Sequence, residues 1–269
     1  MPRRPARSSD GCAWITGASS GIGAALAVEL ANRGWRVAIS ARGEKALAEV
    51  AAGRPAIHAA PADVSDAQSV AAAAARIRSE IGPIGLVVAN AGVYLPVDAR
   101  APAADAYRRT FDVNLMGVAH LLEAVMPDFV ARRAGHFHIV SSATGFGGMP
   151  TASAYGASKA ALINMAECLK IELDRCGVGV SLSTPGFVET PAQDDNAFPK
   201  PFMITPQVAA KRIADAVHRG GFESTFPRRF TWVLKGLYAL PRPWRIPLVR
   251  RQTGWGSDAE PPSPTKSGR

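Results

Sequence analysis

The sequence predicts an α/β domain with a doubly wound parallel sheet of about seven strands and helices on both faces. Short, continuously apolar runs alternate with Ala- and Leu-rich stretches of helical period along most of the chain. Continuous apolar runs are typical of strands that helices cover on both faces. No repeat and no linker divides the sequence, and 269 residues are enough for one sizeable core. A single domain is therefore expected.

The apolar runs that predict strands are 12–16, 36–40, 56–60, 86–89, 136–141 and 178–183, with a seventh, more weakly marked, at 223–226. The stretches of helical period between them are 24–33, 45–52, 67–80, 104–132, 152–175 and 206–219. Strands that alternate with helices form βαβ units, and the strands of such units are parallel.

The composition is that of a globular protein, with 47% hydrophobic and 20% charged residues, and no run of 18 apolar residues predicts a membrane span. The three cysteines form neither a C-x-x-C pair nor a disulfide framework, which indicates a reducing, cytoplasmic environment. Residues 1–10 contain three arginines with no apolar run behind them, so we expect a disordered basic tail and not a signal peptide. Residues 257–269, rich in Pro and Ser, are also predicted to be disordered.

The segment 227–256 differs in charge from the predicted core, residues 11–226. Between Ser224 and Ser257 there are seven basic residues and no acidic one, and three of the five tryptophans lie there. Apolar residues recur in it at helical spacing, namely Phe230, Val233, Leu234, Leu237 and Tyr238. Three roles stay open: a lid over a substrate pocket, a peripheral membrane contact, or a surface for self-association. Nucleic-acid binding is not expected, because nothing else in the chain resembles a nucleic-acid-binding module.

A glycine-rich turn follows the first predicted strand and precedes the first predicted helix. Its sequence from residue 16 is T-G-A-S-S-G-I-G, with glycine at 17, 21 and 23. Glycines let a pyrophosphate approach the backbone, and the N-terminus of the following helix attracts its charge. The spacing G-x-x-x-G-x-G differs from the commoner G-x-G-x-x-G, but its position indicates a dinucleotide-binding turn of the Rossmann type.

A second group of polar residues has the chemistry of an acid/base site. Tyr155 and Lys159 stand four residues apart, which places the phenol and the ammonium on one face of a helix. Ser142 ends the fifth predicted strand, and Asn114 lies within a long predicted helix. No metal-ligand set is predicted.

These motifs together resemble the classical short-chain dehydrogenase/reductase family over roughly residues 11–225. The resemblance is carried by T-G-x-x-x-G-x-G at 16–23, Asp63-Val64, Asn90-Ala91-Gly92, Asn114, Ser142, Tyr155, Lys159 and Pro185-Gly186. One departure is that the family's common Asn-Asn-Ala-Gly occurs here as Ala89-Asn90-Ala91-Gly92. The resemblance implies a Rossmann-type fold and an enzyme that transfers a hydride between a nicotinamide cofactor and a carbonyl/alcohol pair.

The resemblance also implies the catalytic roles. Tyr155 would donate a proton to a carbonyl oxygen or accept one from an alcohol, and as a base its pKa would have to fall from about 10 to about 7–8. Lys159 would stabilise the phenolate and bind the nicotinamide ribose. Ser142 would hold the substrate oxygen, and Asn114 would support a water relay to the lysine.

The cofactor is expected to be NADP(H) in preference to NAD(H). No acidic residue ends the second strand, where it would bind both ribose hydroxyls, and Arg42 is available there for a 2′-phosphate. A second basic residue, which some NADP-type members carry in the glycine turn, is absent because Ser19 and Ser20 occupy it. The predicted cofactor-binding residues are Gly17, Ser19, Ser20, Gly21, Ile22, Gly23, Arg42, Asp63, Val64, Asn90, Ala91, Gly92, Tyr155, Lys159, Pro185, Gly186, Val188 and Thr190.

The segments after Ser142 and after Pro185-Gly186 are expected to line an apolar substrate pocket. Their large apolar residues are Phe146, Met149, Phe187, Phe198, Phe202 and Met203, which favour a hydrophobic substrate unless they only pack these loops onto the core. The rival interpretation is a nucleotide-binding or membrane-associated scaffold with little activity. By analogy the helices at 104–132 and 152–175 would form a homodimer or homotetramer, and the protein would be cytoplasmic, with peripheral membrane contact as an option.

Overall fold

The structure is a computed structural model that describes residues 4–190 and 200–255. Within these residues seven strands form one sheet in the order β3-β2-β1-β4-β5-β6-β7, and every neighbouring pair is parallel. The strands are β1 Cys12–Thr16, β2 Val37–Ser40, β3 Ile57–Ala59, β4 Ile84–Ala89, β5 His136–Val140, β6 Gly179–Pro185 and β7 Glu223–Phe226. The predicted fold class is confirmed, including the weakly marked seventh strand.

Helices cover both faces of this sheet. They are α1 Gly21–Asn32, α2 Glu44–Ala51, α3 Ala67–Glu80, α4 Ala104–Phe111, α5 Gly117–Arg132, α6 Ser153–Leu173, α7 Pro206–Arg219, α8 Arg228–Ala239 and α9 Arg242–Gln252. One apolar core joins Trp14, Phe137 and Ile139 to α3, α5 and α6, while a second joins Ile15 and Ile39 to α1 and α7. The cores on opposite faces make the sheet doubly wound, as predicted.

The stretch predicted as one helix at 104–132 changes its hydrogen-bonding pattern in the middle. Residues Asp112–Met116 form a π-helical segment between α4 and α5, and Asn114 lies inside it. Single π-turns of this kind often lie at functional sites. By length and composition, Ala104–Arg132 is the one described helical stretch that could cross a membrane. Because its Leu121, Val125 and Phe129 are buried in the domain core, we interpret it as a core helix.

The expectation of a disordered N-terminal tail is wrong for residues 4–10. The Ala6 N–H donates to the Val217 carbonyl at 2.9 Å, and His136 Nδ1 donates to the Arg4 carbonyl at 3.0 Å. The Arg4 guanidinium donates to the Asp174 carbonyl at 2.8 Å, and Ser8–Asp10 form a 3-10 turn. These contacts satisfy hydrogen-bonding groups of α7, of the start of β5 and of the turn after α6, which explains why the segment is ordered.

The C-terminal segment folds into α8 and α9, which we call the C-terminal helix pair. Pro241 precedes α9 and Pro243 lies in its first turn, where a proline is tolerated. Pro241 and Pro243 separate α8 from α9, whereas Pro247 lies inside α9. Helix α8 packs beside the 3-10 turn Ala143–Phe146 and β7, and α9 reaches the same cleft through Val249 and Gln252.

Candidate active site

A cleft of about 830 Å³ opens at the carboxyl ends of the strands. It lies where the strand order switches between β1 and β4, and open α/β sheets bind ligands at this position. Its lining comes from the turn after β1, the residues after β4 and β6, the end of β5, the start of α6 and the C-terminal helix pair. The half of the cleft beside the glycine turn is formed largely by backbone. The half beside β5, α6 and the C-terminal helix pair is lined by side chains.

The glycine turn forms the backbone-rich half. Gly17 and Gly21 have φ of +65° and +55°, a conformation that favours glycine. A Cβ at Gly17 would lie 2.7 Å from the Ala91 Cα, and one at Gly23 would lie 2.4 Å from the Gly17 carbonyl oxygen. The Ser20 side chain makes no capping bond at the start of α1, so the first-turn N–H groups are available to an anion. This cradle, which a side chain would fill, fits the pyrophosphate of a dinucleotide.

Asn90 fixes the glycine turn to the end of β4. Its side-chain amide donates to the Thr16 carbonyl at 2.9 Å and to the Gly17 carbonyl at 3.2 Å. The Thr16 hydroxyl in turn accepts from the backbone N–H groups of Asn90 and Ala91, both at 3.2 Å. The four bonds hold the two sides of the cradle at a constant separation.

Arg42 and Asp63 line the far end of the cleft. Arg42 is exposed, directly beyond β2, and no acidic side chain precedes it there. The Asp63 carboxylate accepts from the Ser65 hydroxyl at 2.6 Å and from the Ser65 N–H at 2.9 Å. These hydrogen bonds from Ser65, aided by the Arg42 charge, lower the pKa of Asp63 against the opposing effect of burial. The cleft therefore offers a guanidinium and an ionised carboxylate at this end.

Tyr155 and Ser142 meet at the other end, beside the apolar wall. Ser142 precedes the turn Ala143–Phe146, and its hydroxyl oxygen accepts from the Thr144 N–H at 3.2 Å and from the Thr144 hydroxyl at 2.9 Å. Ser142 is also close enough to the Tyr155 hydroxyl to lower its pKa. The Tyr155 ring packs edge-on against Tyr94, with ring centroids 5.2 Å apart. Ser142 and Tyr155 therefore both line this end of the cleft.

Lys159 lies one helical turn beyond Tyr155 and is buried. Its ammonium donates to the Val140 carbonyl at 3.0 Å and lies 5.6 Å from the centroid of the Tyr155 ring. Asn114 is fully buried behind it, and its amide bonds the Val93 backbone and the Ser158 hydroxyl. A Cβ added at Gly92 would lie 3.3 Å from Asn114 Oδ1 and 3.4 Å from Lys159 Nζ. Gly92 therefore lies close to both Asn114 and Lys159, and a larger residue there would crowd both side chains.

Burial sets the protonation states of this pair. It raises the pKa of the Tyr155 hydroxyl to about 12, although the hydrogen bond with Ser142 opposes the rise. It also lowers the pKa of the Lys159 ammonium to about 8. Near neutral pH the phenol is therefore protonated and the lysine largely charged, which suits a proton donor beside a cation.

The predicted cofactor residues all line the cleft except Gly23, which lies behind the turn. Of the catalytic set, Ser142, Tyr155 and Lys159 line it, and Asn114 is beneath its floor. Met149 and Phe187 line it as predicted, whereas Phe198 lies outside the described residues.

Three residues predicted near the substrate do not line the cleft. The Lys235 ammonium lies 5.1 Å from the centroid of the Phe146 ring, and Phe146 is outside the cleft lining. Phe202 is 61% exposed and contacts the Phe230 ring from outside, with centroids 6.3 Å apart. Met203 is 45% exposed and also lies outside the lining. Phe202 and Met203 are exposed to solvent and Phe146 packs against Lys235, so none of the three contributes to the cleft lining.

The C-terminal helix pair supplies the apolar wall instead. Its lining residues are Phe230, Leu234, Leu237, Tyr238, Val249, Gln252 and Thr253. The Tyr238 hydroxyl donates to the Gly148 carbonyl at 2.9 Å, and Arg245 donates to the Tyr238 carbonyl at 2.8 Å. A Cβ at Gly147 would lie 2.1 Å from the Tyr238 ring, so this contact requires glycine. Tyr94, which lines the cleft opposite, could have been found as the aromatic residue that closely follows Asn90-Ala91-Gly92.

Residues 11–198 match the family model described as short chain dehydrogenase. The chain belongs to the short-chain dehydrogenase family. An uncharacterized oxidoreductase of Myxococcus xanthus is 36% identical over 243 residues, covering 89% of this chain and 96% of that protein. Nicotinamide dinucleotides are the cofactors of this family, and the cradle, Asn90 and Asp63 fit one.

Two solved structures extend the comparison. A variant of actinorhodin polyketide ketoreductase with NADPH has a TM-score of 0.75 and 26% identity, covering 82% of this chain and 97% of its own. A 3-ketoacyl-(acyl-carrier-protein) reductase of Brucella melitensis, complexed with NADH, has a TM-score of 0.72 and 27% identity, covering 80% and 96%. This short-chain dehydrogenase is thus an oxidoreductase of the same fold as two reductases that bind different nicotinamide cofactors.

Proposed function

We propose that this enzyme is an NADP(H)-dependent oxidoreductase of a hydrophobic carbonyl/alcohol pair, with Tyr155 as the catalytic acid/base. The observation that carries the proposal is the convergence of Tyr155, Ser142 and Lys159 at one end of the cleft. The phosphate cradle lies along the same cleft, so a carbonyl held by the two hydroxyls would stand next to the cofactor. Arrangements of this kind contribute by orientation and by acid/base catalysis.

The protonation states favour Tyr155 as an acid. With its pKa near 12, the phenol carries its proton at neutral pH and can donate it to a carbonyl oxygen that Ser142 also contacts. The Lys159 charge, 5.6 Å from the ring centroid, stabilises the phenolate that remains. When bound, the nicotinamide supplies or accepts the hydride. We therefore propose carbonyl reduction as the favoured direction.

Arg42 supports NADP(H) as the preferred cofactor. Its exposed guanidinium at the cleft end matches a 2′-phosphate, and no carboxylate ends β2 to accept hydrogen bonds from a pair of ribose hydroxyls. The apolar wall from α8 supports a substrate with an extended hydrophobic part. Exposed Ile171 on α6 and Val130 on α5 support a homodimer or homotetramer through these helices, in a protein that we place in the cytoplasm.

Reduction of a panel of apolar aldehydes, ketones and quinones, followed as NADPH consumption with NADH in parallel, tests the proposal. Replacement Tyr155→Phe should lower turnover by roughly 10²–10⁴-fold without loss of NADPH binding. Tyr107→Phe is the matched control, because its exposed hydroxyl bonds Ser153 at 2.7 Å away from the cleft lining. Unchanged turnover in Tyr155→Phe would contradict the assigned role, and NADPH binding without any turnover would favour the non-catalytic rival.

A further inference from the structure

We propose that the C-terminal helix pair binds the surface of an anionic lipid bilayer. The sequence leaves three roles open for this segment, and the contacts of α8 show that its inner side walls the cleft. Its outer side is a separate surface with its own chemistry. The proposal does not depend on the proposed reaction, because binding to vesicles requires neither cofactor nor turnover.

The outer side of α8 carries large apolar side chains that no described residue covers. Trp232 and Val233 are 67% and 69% exposed, and with Arg229 and Gly236 they follow the spacing of one helix face. The opposite face, with Phe230 and Leu234, lines the cleft. Helix α8 is thus apolar on both sides. A helix with one side in water usually carries polar residues on that side.

Helix α9 extends the exposed apolar surface. Trp244 is 66% exposed, Ile246 59% and Leu248 41%. Large apolar residues scattered singly on a surface are common, but five of them within two consecutive short helices indicate a binding surface. Tryptophan in particular is favoured where an apolar layer meets water, as at a membrane interface.

The charges around these side chains are all of one sign. Arg228, Arg229, Arg242, Arg250 and Arg251 are exposed, and none of them forms an ion pair with another residue in the described part of the chain. Glu223 on the neighbouring strand β7 is paired with Lys235 at 2.5 Å and with none of these arginines. Five uncompensated guanidinium groups beside exposed tryptophans match an anionic lipid surface.

Four arginines also line a recess of about 280 Å³ between α7 and the start of α8. They are Arg212, Arg219, Arg228 and Arg229, and Phe202 and Val208 complete its apolar side. A recess with several guanidinium groups and an apolar rim suits a lipid phosphate whose acyl part remains in the bilayer. The recess therefore adds a headgroup subsite to the apolar surface.

The same features disfavour a second copy of the chain as the occupant. In a two-fold dimer the same patch meets itself, so arginines would face arginines with no carboxylate between residues 224 and 257 to compensate. An acidic protein would match the arginines but leaves the exposed Trp and Val side chains unexplained. A bilayer accommodates both, and it places the cleft wall next to a reservoir of apolar substrate.

Sedimentation of the full chain with phosphatidylcholine vesicles, with and without phosphatidylserine, tests this proposal. We expect binding that requires phosphatidylserine and weakens with salt. Arg228→Glu with Arg229→Glu should lower the partition coefficient by at least about thirtyfold, and Trp232→Ser with Val233→Ser should also reduce it. Binding of the wild type should shift tryptophan emission to shorter wavelength, and the shift should be smaller in the Trp232 variant.

A matched control separates these effects from net charge in general. Lys45→Glu with Arg54→Glu changes the same net charge at exposed positions of another face. It should leave vesicle binding within about twofold of the wild type. Absence of binding, or equal binding by all variants, would overturn the proposal. So would dissociation of a wild-type oligomer by the Trp232 variant without vesicle binding, or full competition by polyglutamate without an emission shift.

Discussion

Lys159 Nζ lies 5.6 Å from the centroid of the Tyr155 ring while it donates a hydrogen bond of 3.0 Å to the Val140 carbonyl oxygen. The lysine is thus held between the end of β5 and the phenol that it is proposed to assist. Because the site is buried, the pKa of Lys159 falls to about 8 while that of Tyr155 rises to about 12. The first group to change charge as the pH rises above neutrality is therefore the lysine.

We expect kcat/KM for NADPH to fall as the pH rises above about 8. This parameter reports groups of the free enzyme, and Lys159 loses its charge there while Tyr155 keeps its proton. Lys159→Arg, which stays charged, should retain part of the activity and lose this alkaline limb. If kcat/KM of the arginine variant still fell above about pH 8, that fall would have to come from a group other than Lys159.

Arg42→Ala should raise KM for NADPH by roughly ten- to hundredfold and change KM for NADH by less than about twofold. The loss corresponds to charged hydrogen bonds to the 2′-phosphate, which NADH lacks. Lys45→Ala is the control, because Lys45 is exposed three residues further on but does not line the cleft. An equal rise for both cofactors would mean that Arg42 acts on the turn and not on the phosphate.

The buried pair His136 and His138 predicts a pH-dependent stability. Both rings bond the Ser181 hydroxyl, at 2.6 and 2.7 Å, and burial lowers their pKa values to about 4 and about 3. In the unfolded chain these pKa values return to about 6.5, so the unfolded state binds more protons below that pH. The free energy of unfolding should therefore be highest above pH 6.5 and fall by a few kcal/mol as the pH decreases toward 4.

Urea unfolding between about pH 7 and pH 4.5 measures this loss, with the slope m compared at each pH. His136→Asn with His138→Asn should flatten the pH dependence even where it lowers stability at neutral pH. Replacing exposed His218 by Asn should leave the dependence as in the wild type. If the free energy of unfolding depended on pH in the double variant as it does in the wild type, other groups would be the cause of the acid sensitivity.

Tyr238→Phe should raise KM for the carbonyl substrate about three- to tenfold with kcat within about twofold. The variant loses the hydrogen bond of 2.9 Å to the Gly148 carbonyl, which fastens α8 to the loop after Ser142, but keeps the ring against Gly147. Tyr107→Phe should leave both parameters unchanged. A loss in kcat alone would place Tyr238 among the groups that act on the transition state.

The pattern of residue types along the chain was sufficient to predict the sheet and most of the candidate site. Strand β4 is apolar throughout and β1 is apolar up to its last residue because both faces are buried, and the glycine turn lies between a strand and a helix. Both features could therefore be located along the chain. The substrate wall could not, since apolar residues such as Phe146, Phe202 and Phe230 look alike in sequence. Which of them faces the cleft depends on how α8 packs on the loop after Ser142, a long-range contact made through Tyr238 and Gly148.

Local pattern also gave no signal for the order of residues 4–10. Their partners, Val217, His136 and Asp174, are far away in sequence, and the contacts are mainly to backbone carbonyls, for which many side-chain identities would serve. The π-helical segment around Asn114 was missed for a similar reason, because an inserted residue in a helix changes the hydrogen bonds without changing the apolar period enough to be recognised.

The N-terminal contacts bear on how the protein should be produced. His136 Nδ1 has the Arg4 carbonyl as its partner, and a Cβ at Gly220 would lie only 2.4 Å from the Pro5 nitrogen, so this segment packs closely against the domain. A shortened chain that starts at residue 11 keeps the whole family match but would leave the buried His136 imidazole without its Arg4 partner. Purification tags therefore belong ahead of residue 4 on a spacer, where they leave these contacts intact.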